Sequence, residues 1–134
     1  MSKAFGEQNL ALLLKGMAPI LNEGDYVFCA IDDLQSVNAD ELLLTFREKE
    51  AITIITRKEV ADNNNLTYFS VMAWITLSVH SSLEAVGLTA AFSAALANEG
   101  ISCNVVAGLC HDHIFVAKKD AERAVAVLAQ LAGS

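Results

Sequence analysis

Basic residues are scarce in this sequence. Nine Lys and Arg stand against sixteen Asp and Glu, a formal charge of −7 over 134 residues. An acidic chain repels phosphate backbones, and no Lys/Arg stripe offsets the repulsion, so nucleic acid is not an expected partner. Long apolar runs are missing as well. Residues 86–97 make up one of the longest, but Gly87, Thr89 and Ser93 interrupt it and it falls short of the ~20 residues that span a bilayer. No membrane partner is expected. The opening MSKAFGEQN has no apolar signal core. The three cysteines, Cys29, Cys103 and Cys110, form an odd set without CxxC spacing, which suits a reducing cytoplasm. No G-x-x-x-x-G-K, G-x-S-x-G or H-E-x-x-H motif occurs, so the reading is of a protein that is not an enzyme and carries no cofactor.

The composition present is that of a packed chain: 54% hydrophobic and 19% charged, with seven glycines. It suffices for one compact domain or two very small ones. Leu10, Leu13, Leu14, Met17 and Leu21 recur at helical spacing and predict a helix over 7–17, ended by Pro19 and the turn Asn22–Gly24. YVFCAI (26–31) reads as a buried strand. LLLTFR (42–47) and AITIITR (51–57) flank a charged tip and read as a hairpin. NADELLLTFREKEA is equally compatible with a helix capped by Asn38, and the β-branched run after it favours strands. KEVADNNN (58–65) begins as a helical turn and ends in asparagines that read as a linker. AWITLSV (73–79) alternates, with Ile75, Leu77 and Val79 on one face and Trp74, Thr76 and Ser78 on the other. A helix follows over 86–99, stopped by Gly100. ISCNVVAGLC is a strand, HDH a turn, IFVA a strand, and DAERAVAVLAQLAG a closing helix with Asp120 as N-cap and Gly133 after its end. The order β-α-β-β-α predicts an α+β, ferredoxin-like unit, an antiparallel sheet with both helices on one face. Residues 1–65 read as a reduced copy of the unit at 66–134.

The strand WITLSV, the glycine-containing loop entering a helix at Gly87–Leu88, EGISCNVV, the hairpin GLCHDHIFV and the helix DAERAV together resemble the ACT domain, a βαββαβ module. GDYVFCAI and TFREKEAITII look like its divergent partner repeat in small bacterial tandem ACT-like proteins. The resemblance implies antiparallel sheets in tandem and a small-molecule effector, an amino acid, bound without chemistry. ACT loops often carry Asp-x-Pro-Gly before the helix; here LEAVG keeps the glycine, lacks the proline, and has Glu84 as the nearest acid. The candidate ligand set is His80, Ser81, Ser82, Glu84, Val86, Gly87 and Leu88, with Asn104 on the next strand. Gly87 admits a close backbone approach, and the unpaired first-turn amides of a helix attract a carboxylate. Ser81 and Ser82 can donate to the same anion, and Asn104 offers an amide.

Rival chemistries are weaker. Adjacent residues of CHDH on a turn diverge, whereas tetrahedral zinc needs convergent ligands; solvated imidazoles are the expectation, and no metal site. His80 lacks the partners of a triad. Cys29 and Cys103, read as strand residues, are packing groups, and Asp32–Asp33 belong to a solvated loop. The helix VGLTAAFSAALA is apolar nearly all round, so it is expected to be buried on more than one side, in a homo-oligomer that is most simply a dimer. A structural oligomerisation protein without a ligand is the competing class.

Overall fold

A computed structural model of the protein describes residues 9–79 and 86–133. In chain order its elements are α1 (Leu10–Gly16), β1 (Pro19–Leu21), β2 (Tyr26–Ile31), β3 (Leu42–Arg47), β4 (Ile52–Arg57), α2 (Lys58–Asn63), β5 (Met72–Leu77), α3 (Leu88–Asn98), β6 (Asn104–Ala107), β7 (Asp112–Ala117) and α4 (Ala121–Gly133). Single 3-10 turns occupy Leu34–Ser36, Ala39–Glu41 and Lys118–Asp120. The chain divides into two compact units. One is the segment up to Glu23 together with everything from Ala73 onward, and the other is Gly24–Met72.

In the first unit the strand order is β1-β5-β7-β6. Along β5, Ala73, Ile75 and Leu77 are buried while Trp74 and Thr76 are only partly covered, the alternation expected of a one-sided strand. Ala73, Ile75 and Leu77 share a core with Ile114 and Val116 of β7, with Leu88, Phe92 and Leu96 of α3, and with Ala121, Ala124 and Leu128 of α4. All the helices of this unit therefore lie on one face of its sheet. Gly100 (φ 73°) closes α3: its N–H reaches Ala97 O at 2.9 Å and Ile101 N–H reaches Leu96 O at 3.0 Å, the paired bonds of a Schellman cap. Ile101 then folds into the same core.

Two features of this unit differ from the sequence expectation. Strand β1 lies where only a helix stop was read. It pairs antiparallel with β5, Ile20 opposite Thr76, and supplies the edge strand that completes the ferredoxin-like order. Proline at its first residue is compatible with an edge, where no ladder donor is needed. The leading helix also packs here rather than with the residues that follow it. Leu13 and Met17 of that segment are buried in the core of the 73–133 unit, so the 1–65 and 66–134 partition does not coincide with the compact units.

In the second unit β4 lies between β2 and β3, antiparallel to both. Val27, Cys29, Ile31, Ile52, Ile54 and Ala61 form its core. The hairpin stands and the rival helix does not, although Asn38 does cap. Its Oδ1 accepts from Asp40 N–H at 3.0 Å, yet only one 3-10 turn follows before β3 begins. Asp33 caps the turn at Leu34–Ser36 in the same way. The asparagine cluster is a helix cap and not a linker. Asn65 is left-handed (φ 57°), Leu66 N–H bonds Ala61 O at 2.9 Å, and Asn64 Nδ2 donates to Val60 O. Asparagine tolerates that conformation where other side chains resist it.

Among the described residues no helix is long and apolar enough to cross a membrane.

Candidate ligand-binding site

The loop between β5 and α3 carries most of the candidate set. His80, Ser81, Ser82 and Glu84 lie outside the described residues. Val86 is 83% exposed at the loop's end. Gly87 is the N-cap of α3 with φ 98° and ψ −17°, a conformation that L side chains rarely adopt. Having no side chain, it gives the first-turn amides of α3 none of the acceptor that a Ser or Asp cap would supply. Leu88 is 3% exposed, and its side chain belongs to the core that holds Phe92, which leaves the side chain no surface to offer a ligand.

Asn104 stands apart from this group. Eleven residues of α3, at about 1.5 Å each, carry the chain from Gly87 toward the opposite end of the sheet, and Asn104 opens β6 there. Its Nδ2 donates to Phe115 O at 3.2 Å across the β6–β7 pair. What does reach the loop end is the β6–β7 hairpin. His111 Nδ1 lies 3.2 Å from Val79 O, so the imidazole donates to the last described carbonyl before the loop. His111 was legible only as part of CHDH, where a turn with solvated imidazoles was expected.

That expectation is corrected further at His113. Strand β7 starts at Asp112, so His113 is a strand residue opposite Val106, half-buried on the sheet face away from the helices. Trp74 Nε1 donates to His113 Nδ1 at 3.0 Å, and Thr76 Oγ1 is 3.1 Å from the same nitrogen. Asn22 Nδ2 in turn donates to Thr76 Oγ1 at 2.9 Å. The Trp74 indole stacks on Phe115, centroids 6.4 Å apart at 16°. Burial, first, and then the neighbouring His111 charge hold the His113 pKa below its usual range, with Asp112 opposing weakly.

The helix face offers a shallow groove of about 470 Å³ lined by Ala95, Asn98, Glu99, Arg123, Val127 and Leu131, among others. It lies at the C-terminal end of α3, away from Gly87. Arg123 bridges its rim, donating to Glu99 O at 2.9 Å and to Asp120 Oδ1 at 3.2 Å. Asp120 thus ends a 3-10 turn and pairs with Arg123 instead of capping α4 as expected. Helix α3 buries a single stripe, Leu88, Phe92 and Leu96, within the chain and leaves Ala90, Ala94 and Ala97 exposed there.

Among the described residues no group of three or more His, Cys, Asp and Glu could hold a metal ion. Cys29 is buried, and burial raises its pKa. Cys103 precedes β6 instead of lying in it, and burial pushes its pKa up to about 11. Cys110 is exposed. A thiol reagent at neutral pH is therefore expected to titrate Cys110 rapidly and the other two slowly, because the thiolate is the reacting form and must be reachable. Mass spectrometry of the modified protein checks this, and a fast label at Cys103 would contradict it.

The ferredoxin-like fold, its glycine-capped entry into α3 and its antiparallel sheets define the ACT class. The family's models match residues 5–73 and 70–130, each with the description ACT domain, and the chain belongs to that family as a tandem of two such units. A Vibrio cholerae protein of unknown function, described as a possible transport protein, is 48% identical, with a TM-score of 0.84 over 92% of this chain and 95% of that one. The aspartokinase alpha and beta subunits share the fold at 14% identity and TM-score 0.64, over 87% of this chain and 98% of that one. The regulatory subunit of aspartate kinase from Thermus thermophilus does so at 9% and 0.61, again over 87% and 98%. No curated protein matches the sequence.

Proposed function

We propose that this protein is a non-catalytic regulatory module that binds an amino acid in the loop of residues 80–88, with the carboxylate at the N-terminus of α3. The observation that carries the reading is Gly87. Its left-handed turn brings the loop onto a helix of eleven residues whose leading amides lack a capping side chain of their own at that position. An anion there gains on the order of 0.3–1 kcal/mol from the helix dipole, with charge-assisted N–H bonds in addition. Ser81, Ser82 and Glu84 are the polar partners for the carboxylate and amino groups. His111, beside Val79, joins the set, and Asn104 and the Leu88 side chain leave it. The likeness to regulatory subunits of aspartate kinase supports a regulatory role. A cytoplasmic homodimer is the form in which we place it, its output passing through a separate partner.

A thermal-shift screen over the amino acids is the test. A ligand at a hundred times its Kd adds about 2.7 kcal/mol of apparent stability. Calorimetry with the hit is then expected to give about fivefold weaker binding for Ser82→Ala, the loss of one hydrogen bond of about 1 kcal/mol, and unchanged binding for Asn104→Ala. No shift with any amino acid would overturn the reading. It would favour a purely structural interaction protein, a role for which the bare Phe69 side chain, 99% exposed, is the specific observation.

A further inference from the structure

We propose that His113 and Trp74 form a proton-operated latch on the face of the β1-β5-β7-β6 sheet opposite α1, α3 and α4, closed when the imidazole is neutral and opened when it is protonated. The argument starts from donor and acceptor counting. An indole N–H only donates, so His113 Nδ1, 3.0 Å away, must present its lone pair. Thr76 converges on the same nitrogen at 3.1 Å. Its hydroxyl oxygen already accepts from Asn22 Nδ2, which leaves the hydroxyl proton to point at His113 as well. Two donors thus face one lone pair. A proton on Nδ1 would set N–H against N–H and O–H, and no ring rotation restores an acceptor because both nitrogens of an imidazolium donate.

His111 has the opposite requirement. Its contact to the Val79 carbonyl needs a proton on the ring nitrogen, and it survives protonation of the ring. Acid therefore acts selectively, leaving the tie between hairpin and loop in place and breaking the tie between β7 and Trp74. Among the described residues, the charged and titratable groups facing His113 are His111 and Asp112, next to it in the hairpin and strand. The other elements packed on it bring Trp74 and Thr76 from β5, Val106 and Gly108 from β6 and its turn, and Asn22 behind Thr76, none of which titrates.

The sign of the pH effect follows. Because the folded-state pKa is lowered from 6.5, the latch contributes stability in full above pH 6.5 and loses it as pH falls through the folded-state value. Opening places a cation beneath an indole freed from its acceptor. The patch around His113 therefore changes from aromatic and uncharged to positively charged at a pH below 6.5.

Trp74 is the chain's one tryptophan, so its fluorescence reads the latch directly. Titrating the protein from about pH 8 to about pH 5 is expected to give a one-proton red shift of the emission, with far-ultraviolet circular dichroism unchanged. His113→Asn keeps an acceptor oxygen near the position of Nδ1 but cannot take a proton, and is expected to abolish the transition. His111→Asn and His80→Asn are expected to retain it. Trp74→Phe removes the opposing donor, so the His113 imidazole resonance should titrate nearer the unperturbed value. A transition that persists in His113→Asn, no transition in the wild type, or an unmoved His113 titration in Trp74→Phe would each overturn the latch.

Discussion

Phe92→Ala is expected to lower the stability of the unit that contains it by about 3–5 kcal/mol, while Phe69→Ala changes it by less than about 0.5 kcal/mol. Phe92 is fully buried between the flanking Leu88 and Leu96 of α3 and the β5 and β7 residues beneath, whereas Phe69 is 99% exposed. Truncating a buried phenylalanine loses its transfer energy and leaves a cavity that rigid neighbours refill only in part. Small domains have about 5–15 kcal/mol of stability in all, so the loss takes a large share. Urea unfolding followed by Trp74 fluorescence makes the measurement, since that indole sits in the same unit. The midpoint should fall at constant slope in Phe92→Ala and stay put in Phe69→Ala. A small shift for Phe92→Ala would mean that α3 is not docked as described.

Where side chains alternate or recur at helical spacing, the fold was legible in the sequence. Strand β5 could be read because Trp74, Ile75, Thr76 and Leu77 alternate cleanly, and the end of α3 because Gly100 is the residue a Schellman cap prefers. The ACT resemblance extended that reading to a tandem, which the family matches bear out. What was hidden depended on contacts distant in sequence. Three residues are too few to show a period, so β1 emerges only through its pairing with β5, more than fifty positions away. The docking of Leu13 and Met17 beside α4 is equally invisible to local pattern. The asparagine cluster was misread because the same residues favour loops and left-handed caps, and only the bonds to Val60 and Ala61 tell the two apart. At the candidate site, Gly87 stood out by its place before an apolar helix. Asn104 was placed by proximity in sequence to a strand start, although a strand that follows a helix begins at the end of the sheet away from that helix's N-terminus. His113 was read as a turn residue because HDH is polar; its acceptor role required knowing that Trp74 lies one strand over.

Gly87→Val is expected to cost about 3 kcal/mol or more, and Gly87→Ala about 2 kcal/mol, with Gly100→Ala milder at about 1 kcal/mol. All three replace a glycine at positive φ, so each forces an L side chain into a conformation that its Cβ resists. At Gly100 (φ 73°) the new methyl meets nothing within 4 Å, and the backbone strain is the whole effect. At Gly87 (φ 98°) the Cβ would also come within 3.2 Å of Leu10 Cδ2, the end of a side chain that must give way. Leu10 is partly exposed and can turn aside, so that part is the smaller one. Combining Gly87→Ala with Leu10→Ala separates them: removing the leucine should recover a coupling energy of order 0.5–1 kcal/mol and leave the backbone strain in place. Valine is worse than alanine because its branched Cβ has few rotamers that fit beside a helix entry. The same substitution reorients the leading amides of α3, so ligand affinity should fall together with stability, whereas Gly100→Ala lowers stability alone. Chemical unfolding of the four variants, followed by calorimetry on those that remain folded, measures both quantities. Normal stability in Gly87→Ala would mean that the loop enters α3 by another turn, and the amides placed at the carboxylate would then point elsewhere.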